Sequence, residues 1–312
     1  SCTTLGQTPT TSFPVCGTDT FYQATVPTCN NKGITVPGCP VSGGVAYSDK
    51  NPFWYKFTCY TTGTLGFLIT PNNLNDDYDW QLFDITSHSP NDVYTDQSLA
   101  VTGNWSGNTS LESSRGYTGV TGTSPSGGPD AFVCATNPIE LGQGPPYSDA
   151  TTQNRMPTIF QGHTYLLMVS HYTDTQTGYS LSFGGGTAVI TDTTQPRTQK
   201  VTARCDGSTL VLQLNKKMKC ASLAVDGSDF TIEPGNPAIQ SVAGVGCNGS
   251  FDLDSVIIAL QQPLAPGNYL LKIKNGFDDN TLLDNCNQPI PVGDSVPFIV
   301  FAIQPTPMDS IV

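Results

Sequence analysis

Charge is scarce in this chain. Charged side chains make up 12% of its 312 residues, about half the ~25% of an ordinary soluble domain. Only three of them are glutamates, so a glycosidase-type acid pair would have to come from aspartates in loops. Basic residues are outnumbered, giving a formal net charge of −12, and that excludes nucleic acid or an anionic membrane surface as the expected partner, since both are held by Lys and Arg. No apolar run approaches the roughly 20 residues of a membrane span, so none is expected. The CxxC pairs of zinc ribbons and thioredoxin-like sites are missing. So are HExxH, GxSxG, GxGxxG and P-loop motifs, and no enzyme is expected. Good helix formers are thin as well, while Gly (31) and Pro (24) are abundant, which excludes a helical bundle. What remains, 37% hydrophobic residues with 9% aromatics in short alternating runs, is the pattern of an all-β protein.

Ten cysteines occur, at Cys2, Cys16, Cys29, Cys39, Cys59, Cys134, Cys205, Cys220, Cys247 and Cys286. An even set without metal-type spacing reads as disulfides, and disulfides imply an oxidising, extracellular address. All ten are expected to be oxidised, with Cys59–Cys134 as the preferred long closure. The start at Ser1, without basic and apolar leader regions, reads as a mature, processed chain.

Two domains are expected. In the first, residues 1–190, alternation runs through Phe53–Cys59, Leu65–Ile69, Trp80–Ile85, Tyr165–Tyr172 and Tyr179–Phe183. Phe53, Tyr55 and Phe57 share one strand face, and Trp54, Lys56 and Thr58 share the other. The stretch Tyr165–Val169 is apolar on both faces and predicts a central strand. From Asn91 to Pro157 the Gly/Ser/Thr/Asn-rich composition predicts surface loops. A connector at 191–199 follows. In residues 200–303, strands at Lys200–Cys205, Leu210–Leu214, Phe230–Ile232, Val256–Leu260, Tyr269–Lys274 and Pro297–Ala302 recur at the spacing of an immunoglobulin-like sandwich. Residues 304–312 read as a linker to a further segment.

Candidate sites are few. Asp76, Asp77 and Asp79 offer three hard carboxylates within four residues, suited to calcium, although a hydrogen-bonded turn is the preferred reading of such an Asn/Asp-rich stretch and calcium the alternative. Asp278–Asp284 is a weaker echo that reads as a turn. His163 and His171 read as structural rather than as a two-histidine metal site. Tyr94, Trp105, Tyr117 and Tyr147 lie in the loop-rich stretch, where they either stack on sugars or a partner protein or cover the sandwich edges.

Several blocks carry a resemblance. Asn51-Pro-Phe-Trp-Tyr-Lys-Phe-Thr-Cys59, Gly63-Thr-Leu-Gly-Phe67, Asp77-Tyr-Asp-Trp-Gln-Leu-Phe-Asp84, Asn104-Trp-Ser106 and Gly178-Tyr-Ser-Leu-Ser-Phe-Gly-Gly-Gly186 resemble the gliding-motility-associated, adhesin-like surface proteins of Bacteroidota exported by type IX secretion. That resemblance implies a jelly-roll or pre-peptidase-C-terminal-like β-sandwich without enzyme activity. Leu210-Val-Leu-Gln-Leu-Asn-Lys-Lys-Met218, Ser228-Asp-Phe230 and Gly276-Phe-Asp-Asp-Asn-Thr-Leu-Leu-Asp284 resemble a bacterial Ig-like module of surface proteins. The lineage also implies O-glycosylation at Asp-Ser/Thr motifs, placing candidate sites at Thr193, Ser255, Ser295 and Ser310. The expected function is therefore a structural or adhesive module of a cell-surface stalk or filament, with a carbohydrate-binding module as the alternative. Its expected partners are copies of itself, neighbouring modules or glycans. End-to-end assembly through the Cys2–Val15 arm or the strand from Phe298 onward is expected with it.

Overall fold

The computed structural model describes residues 2–26, 28–29, 32–39, 47–106, 119–128, 131–135, 152–171 and 177–302. The chain divides into two compact units, Ser1–Asp192 and Thr193–Val312, so the boundary falls inside the predicted connector. Tyr117, Tyr147, Ser310 and the 304–312 linker lie outside the described residues. Both units are β-sandwiches, and among the described residues the only helical pieces are 3₁₀ turns such as Pro90–Tyr94 and Gln97–Leu99.

Among the described residues, the first unit has eight main strands: β1 (Phe21–Gln23), β2 (Pro52–Thr58), β3 (Phe67–Pro71), β4 (Tyr78–Asp84), β5 (Ala100–Asn104), β6 (Thr121–Ser124), β7 (Thr164–His171) and β8 (Tyr179–Phe183). One sheet has the core order β2-β7-β4-β5 and the other β6-β3-β8-β1. Apart from the paired β4 and β5, successive strands alternate between the two sheets, the wiring of a jelly roll. Short segments Phe13–Pro14, Phe132–Val133 and Gln153–Arg155 extend the sheets as parallel edges. Edges two or three residues long present little unpaired backbone to another chain. The N-terminal arm is one of them: Phe13 pairs with Tyr55 and Val15 N–H donates to the Lys56 carbonyl. It is spent on its own sheet, not free to add to a neighbour's.

Between the sheets lie Tyr55, Phe57, Phe67, Trp80, Tyr165, Tyr179 and Phe183, all buried. Phe67 meets Trp80 edge-to-face at 4.8 Å, and the Tyr55 and Tyr179 hydroxyls are 2.8 Å apart in the core. The period of two in β2 holds, but its second face is not exposed. Trp54 is 0% exposed, because Ile34, Val36, Tyr47, Val93, Leu99 and Trp105 pack over Trp54, Phe83, Leu166 and Met168 as an outer layer. This is why β7 is apolar on both sides: it sits between β2 and β4 in a sheet covered on both faces.

Two of the eight strands, β5 and β6, fall inside the stretch read from composition as loop. Their threonines do work that apolar side chains do elsewhere. Trp80 Nε1 donates to Thr121 Oγ1 (2.8 Å), and Phe67 N donates to Thr123 Oγ1 (3.1 Å). Buried Asn154 donates to Thr102 Oγ1 and the Gly103 carbonyl. Polar residues are therefore buried here with their hydrogen bonds satisfied, which composition does not reveal.

Among the described residues, the second unit has seven strands: β9 (Thr198–Ala203), β10 (Thr209–Lys219), β11 (Phe230–Glu233), β12 (Ile239–Gly244), β13 (Asp252–Leu260), β14 (Gly267–Ile273) and β15 (Ser295–Val300). They form a four-stranded sheet, β9-β10-β13-β12, and a three-stranded sheet, β11-β14-β15. This is the ABED/CFG arrangement of an immunoglobulin constant-type sandwich. Leu210, Leu212, Ile232, Val256, Ile258, Leu271 and Phe298 fill its core. Strand β12 is the one that periodicity missed, because of its six residues only Val242 is buried. Asp294 ties the first strand to the last, accepting from Thr198 N (2.7 Å) and Thr198 Oγ1 (2.8 Å).

The cysteine expectation needs correcting. Eight of the ten are disulfide-bonded, among them Cys2–Cys29, Cys39–Cys134 and Cys220–Cys247. Cys59 and Cys205 are free, the first buried and the second exposed. Cys134 is thus closed by Cys39, which belongs to the outer layer, and not by Cys59, which lies at the end of an inner strand and donates from Sγ to the Thr61 carbonyl. The bonded cysteines fit an oxidising compartment. Among the described residues no helix is long and apolar enough to cross a membrane.

Candidate functional site

The Asp76–Asp79 cluster lies at the entry to β4, and strand alternation splits it. Tyr78 faces the inter-sheet core, where its ring meets His171 at 4.6 Å and Tyr179 at 4.9 Å and its hydroxyl donates to the Thr177 carbonyl (2.6 Å). Asp76 is on this side, with Oδ2 3.7 Å from His171 Nε2. Asp79 points the other way, under the outer layer, within reach of Asp77 and of the Tyr47 phenol. Burial raises the Asp77 carboxyl to about 7. Burial, and after it the charge of Asp77, holds Asp79 well above the ordinary range. The Asp79 Oδ1 atom is buried without a hydrogen-bond partner, the position a protonated carboxyl tolerates better than an ionised one.

The three carboxylates therefore do not make one calcium site. Among the described residues no three His, Cys, Asp or Glu side chains are placed to hold a metal ion. A period of two sends neighbours to opposite faces, and cation coordination needs them on one.

His163 and His171 stand at opposite ends of β7 and do not converge. His163 Nδ1 is 2.6 Å from Asp84 Oδ2, and the Thr86 hydroxyl donates to Asp84 Oδ1 (2.6 Å). Partial burial disfavours ionisation of Asp84, but the bonds from Thr86 and His163 outweigh it and leave the carboxyl below its ordinary value. Tyr165, stacked against His163 at 6.2 Å, accepts from the Phe160 amide. The group pins the turn from Phe160 to His163 that leads into β7.

The aromatics expected as stacking platforms serve the outer layer where they are described. Trp105 is buried, 3% exposed, and donates from Nε1 to Gln81 Oε1 (3.0 Å), while Gln81 Nε2 donates to the Thr35 carbonyl (3.0 Å). Tyr94 donates to Asp49 (2.7 Å), meets Trp54 edge-to-face and carries Lys32 Nζ 3.9 Å over its ring. Neither presents a face to a sugar. Gln81 and Asp49 are structural polar residues that the sequence did not flag; Gln81 stands between Trp80 and Leu82, which is an available signal, whereas Asp49 lies in the polar run Ser48–Asn51 and gives none.

The glycosylation candidates differ in access. Thr193 and Ser295 are exposed. Ser255 lies within central strand β13, half-buried, paired with Gln213 and donating to Asp254 (2.8 Å), so a glycan there has little room. Asp284, at the end of the second acidic stretch, is fully buried. It accepts from Lys216 Nζ (2.7 Å) and from the Cys286 and Gln288 amides, as the turn reading requires.

No protein-family model matches the chain, and no curated protein matches it.

Proposed function

We propose that this chain is a non-catalytic structural or adhesive module of an extracellular surface stalk or filament, of the kind the resemblance to type IX secreted adhesin-like proteins implies. It works through its surfaces, with copies of itself as the first partner. The observation that supports this reading is the outer face of the three-stranded sheet of the Ig-like unit. Strand β15 alternates strictly, with Val296, Phe298 and Val300 in the core and Pro297 and Ile299 outward, and exposed Phe301 follows its end. Ile299 is 50% and Phe301 74% exposed, and Leu270, opposite Pro297 on β14, continues the apolar row. A solvated sheet face ordinarily carries polar residues at these positions, and contiguous exposed apolar surface marks association.

The ionisable groups described above support the same reading, since Asp84, His163, Asp284 and Asp294 each hold strands together. Multi-angle light scattering on the full chain tests it. Concentration-dependent growth that is lost in an Ile299→Glu/Phe301→Glu variant is the expected result. A monodisperse monomer at high concentration in both proteins refutes association through this face.

A further inference from the structure

The second acidic stretch holds more than a turn. Asp229, at the foot of β11, is 0% exposed. Its Oδ2 accepts from the Ala224 amide (2.8 Å), but its Oδ1 is buried with no hydrogen-bond partner. That oxygen is aimed at the loop after β14. The position a Cβ would take on Gly276 lies 2.7 Å from Asp229 Oδ1, 2.7 Å from Asp278 Oδ1 and 3.0 Å from Ser228 Oγ. Three oxygens from two segments 49 to 50 residues apart in sequence thus crowd one side of Gly276, and the two carboxylate oxygens are separated by no more than twice that shorter distance. A fourth oxygen belongs to the same loop: Asn280 Oδ1 is also buried without a partner, while the Asn280 carbonyl accepts from Gly276 N (2.8 Å) and closes the loop.

We infer that Ser228, Asp229, Asp278 and Asn280 form a calcium site in the Ig-like unit, beside Gly276, whose lack of a side chain lets their oxygens approach one another. The oxygens are of the hard, mixed carboxylate, amide and hydroxyl kind that calcium takes, in a number that leaves room for water to complete six to eight ligands. Two carboxylates neutralise the ion. Without a cation the arrangement is unfavourable, since a buried carboxylate oxygen without a donor loses its hydration for nothing. Gly276 is required because its Cβ would stand closer to both carboxylate oxygens than side-chain carbons approach. Its backbone is not in the left-handed region, so Gly276→Ala adds a methyl group and no backbone strain. The His, Cys, Asp and Glu groupings that usually betray a metal site miss this one, because half of its donors are a hydroxyl and an amide.

Isothermal titration of calcium chloride into the full chain tests the inference. One saturable event is expected, in the roughly 10⁻⁴–10⁻³ M range of extracellular calcium modules. Asp278→Ala changes an exposed side chain and leaves the fold intact; it and Gly276→Ala are each expected to weaken binding at least tenfold, whereas Asp77→Asn in the first unit leaves it unchanged. Far-UV circular dichroism confirms that each variant is folded. Absence of any calcium heat in the wild-type chain at millimolar concentrations overturns the site, and so does binding that survives both Asp278→Ala and Asp229→Asn.

Discussion

The Cys39–Cys134 bridge sets a quantity that can be worked out in advance. It joins residues 95 apart in sequence, so in the unfolded chain it closes a loop of that length. Chain-entropy loss for such a loop is worth about 4–5 kcal/mol at 25 °C, a third or more of the stability of a typical domain. Cys39 packs against the outer layer, and the segment holding Cys134 includes Phe132–Val133, the parallel edge beside β5. The bridge therefore ties the covering layer to the sheet it covers. The perturbation is the double substitution Cys39→Ala/Cys134→Ala, which removes the link without leaving a free thiol.

The assay is guanidinium titration followed by tryptophan fluorescence. All three tryptophans, Trp54, Trp80 and Trp105, are in the first unit and buried, so the signal reports that unit alone. The double variant is expected to lose about 4 kcal/mol, with a larger denaturant slope because its unfolded state exposes more surface. A loss below about 1 kcal/mol in a protein with native near-ultraviolet dichroism refutes the reasoning, since it would mean that the bridge does not restrict the unfolded chain.

Thr121→Val keeps the shape of the side chain but strips the Trp80 indole N–H of its acceptor, and the first unit is expected to lose about 1–3 kcal/mol by urea titration; a neutral result would mean that water replaces the hydroxyl. Asp84 sits below its ordinary value of 3.8, so its stabilisation is complete above that pH and disappears as pH falls through the lowered value. The melting-temperature gap between wild type and Asp84→Asn should accordingly narrow as pH falls below 3.8, and a gap that does not narrow in acid contradicts the assignment. Thiol titration with a chromogenic disulfide should count one fast group, Cys205, in the native chain and two after denaturation, because Cys59 is buried and burial raises its thiol. Two fast thiols, or none, would show the cysteine assignment to be wrong.

Much of the architecture was legible in the chain itself. A period of two with aromatics on one face yields strands whatever the surroundings, and so alternation marks Tyr179–Phe183 to the residue and β2, β3, β4 and β7 within a few positions. The spacing of strands in the second unit carried its Ig-like wiring. Tertiary structure decided the rest. Composition cannot tell a loop threonine from Thr121 or Thr123, whose hydroxyls are buried as partners of Trp80 and Phe67. Nor can it tell an exposed strand face from one covered by residues 32–39 and Tyr47, which is what buried Trp54 and Trp105 and took the stacking role from Tyr94. Disulfide partners depend on which segments meet in space, so an even count of cysteines still left Cys59 and Cys205 free. The same holds for the acidic clusters. Asp76, Asp77 and Asp79 are adjacent in sequence and divided by the pleat, whereas Asp229 and Asp278 are far apart in sequence and face one another because β11 and β14 are paired. Coordination needs proximity in space, and sequence supplies it only along one strand face.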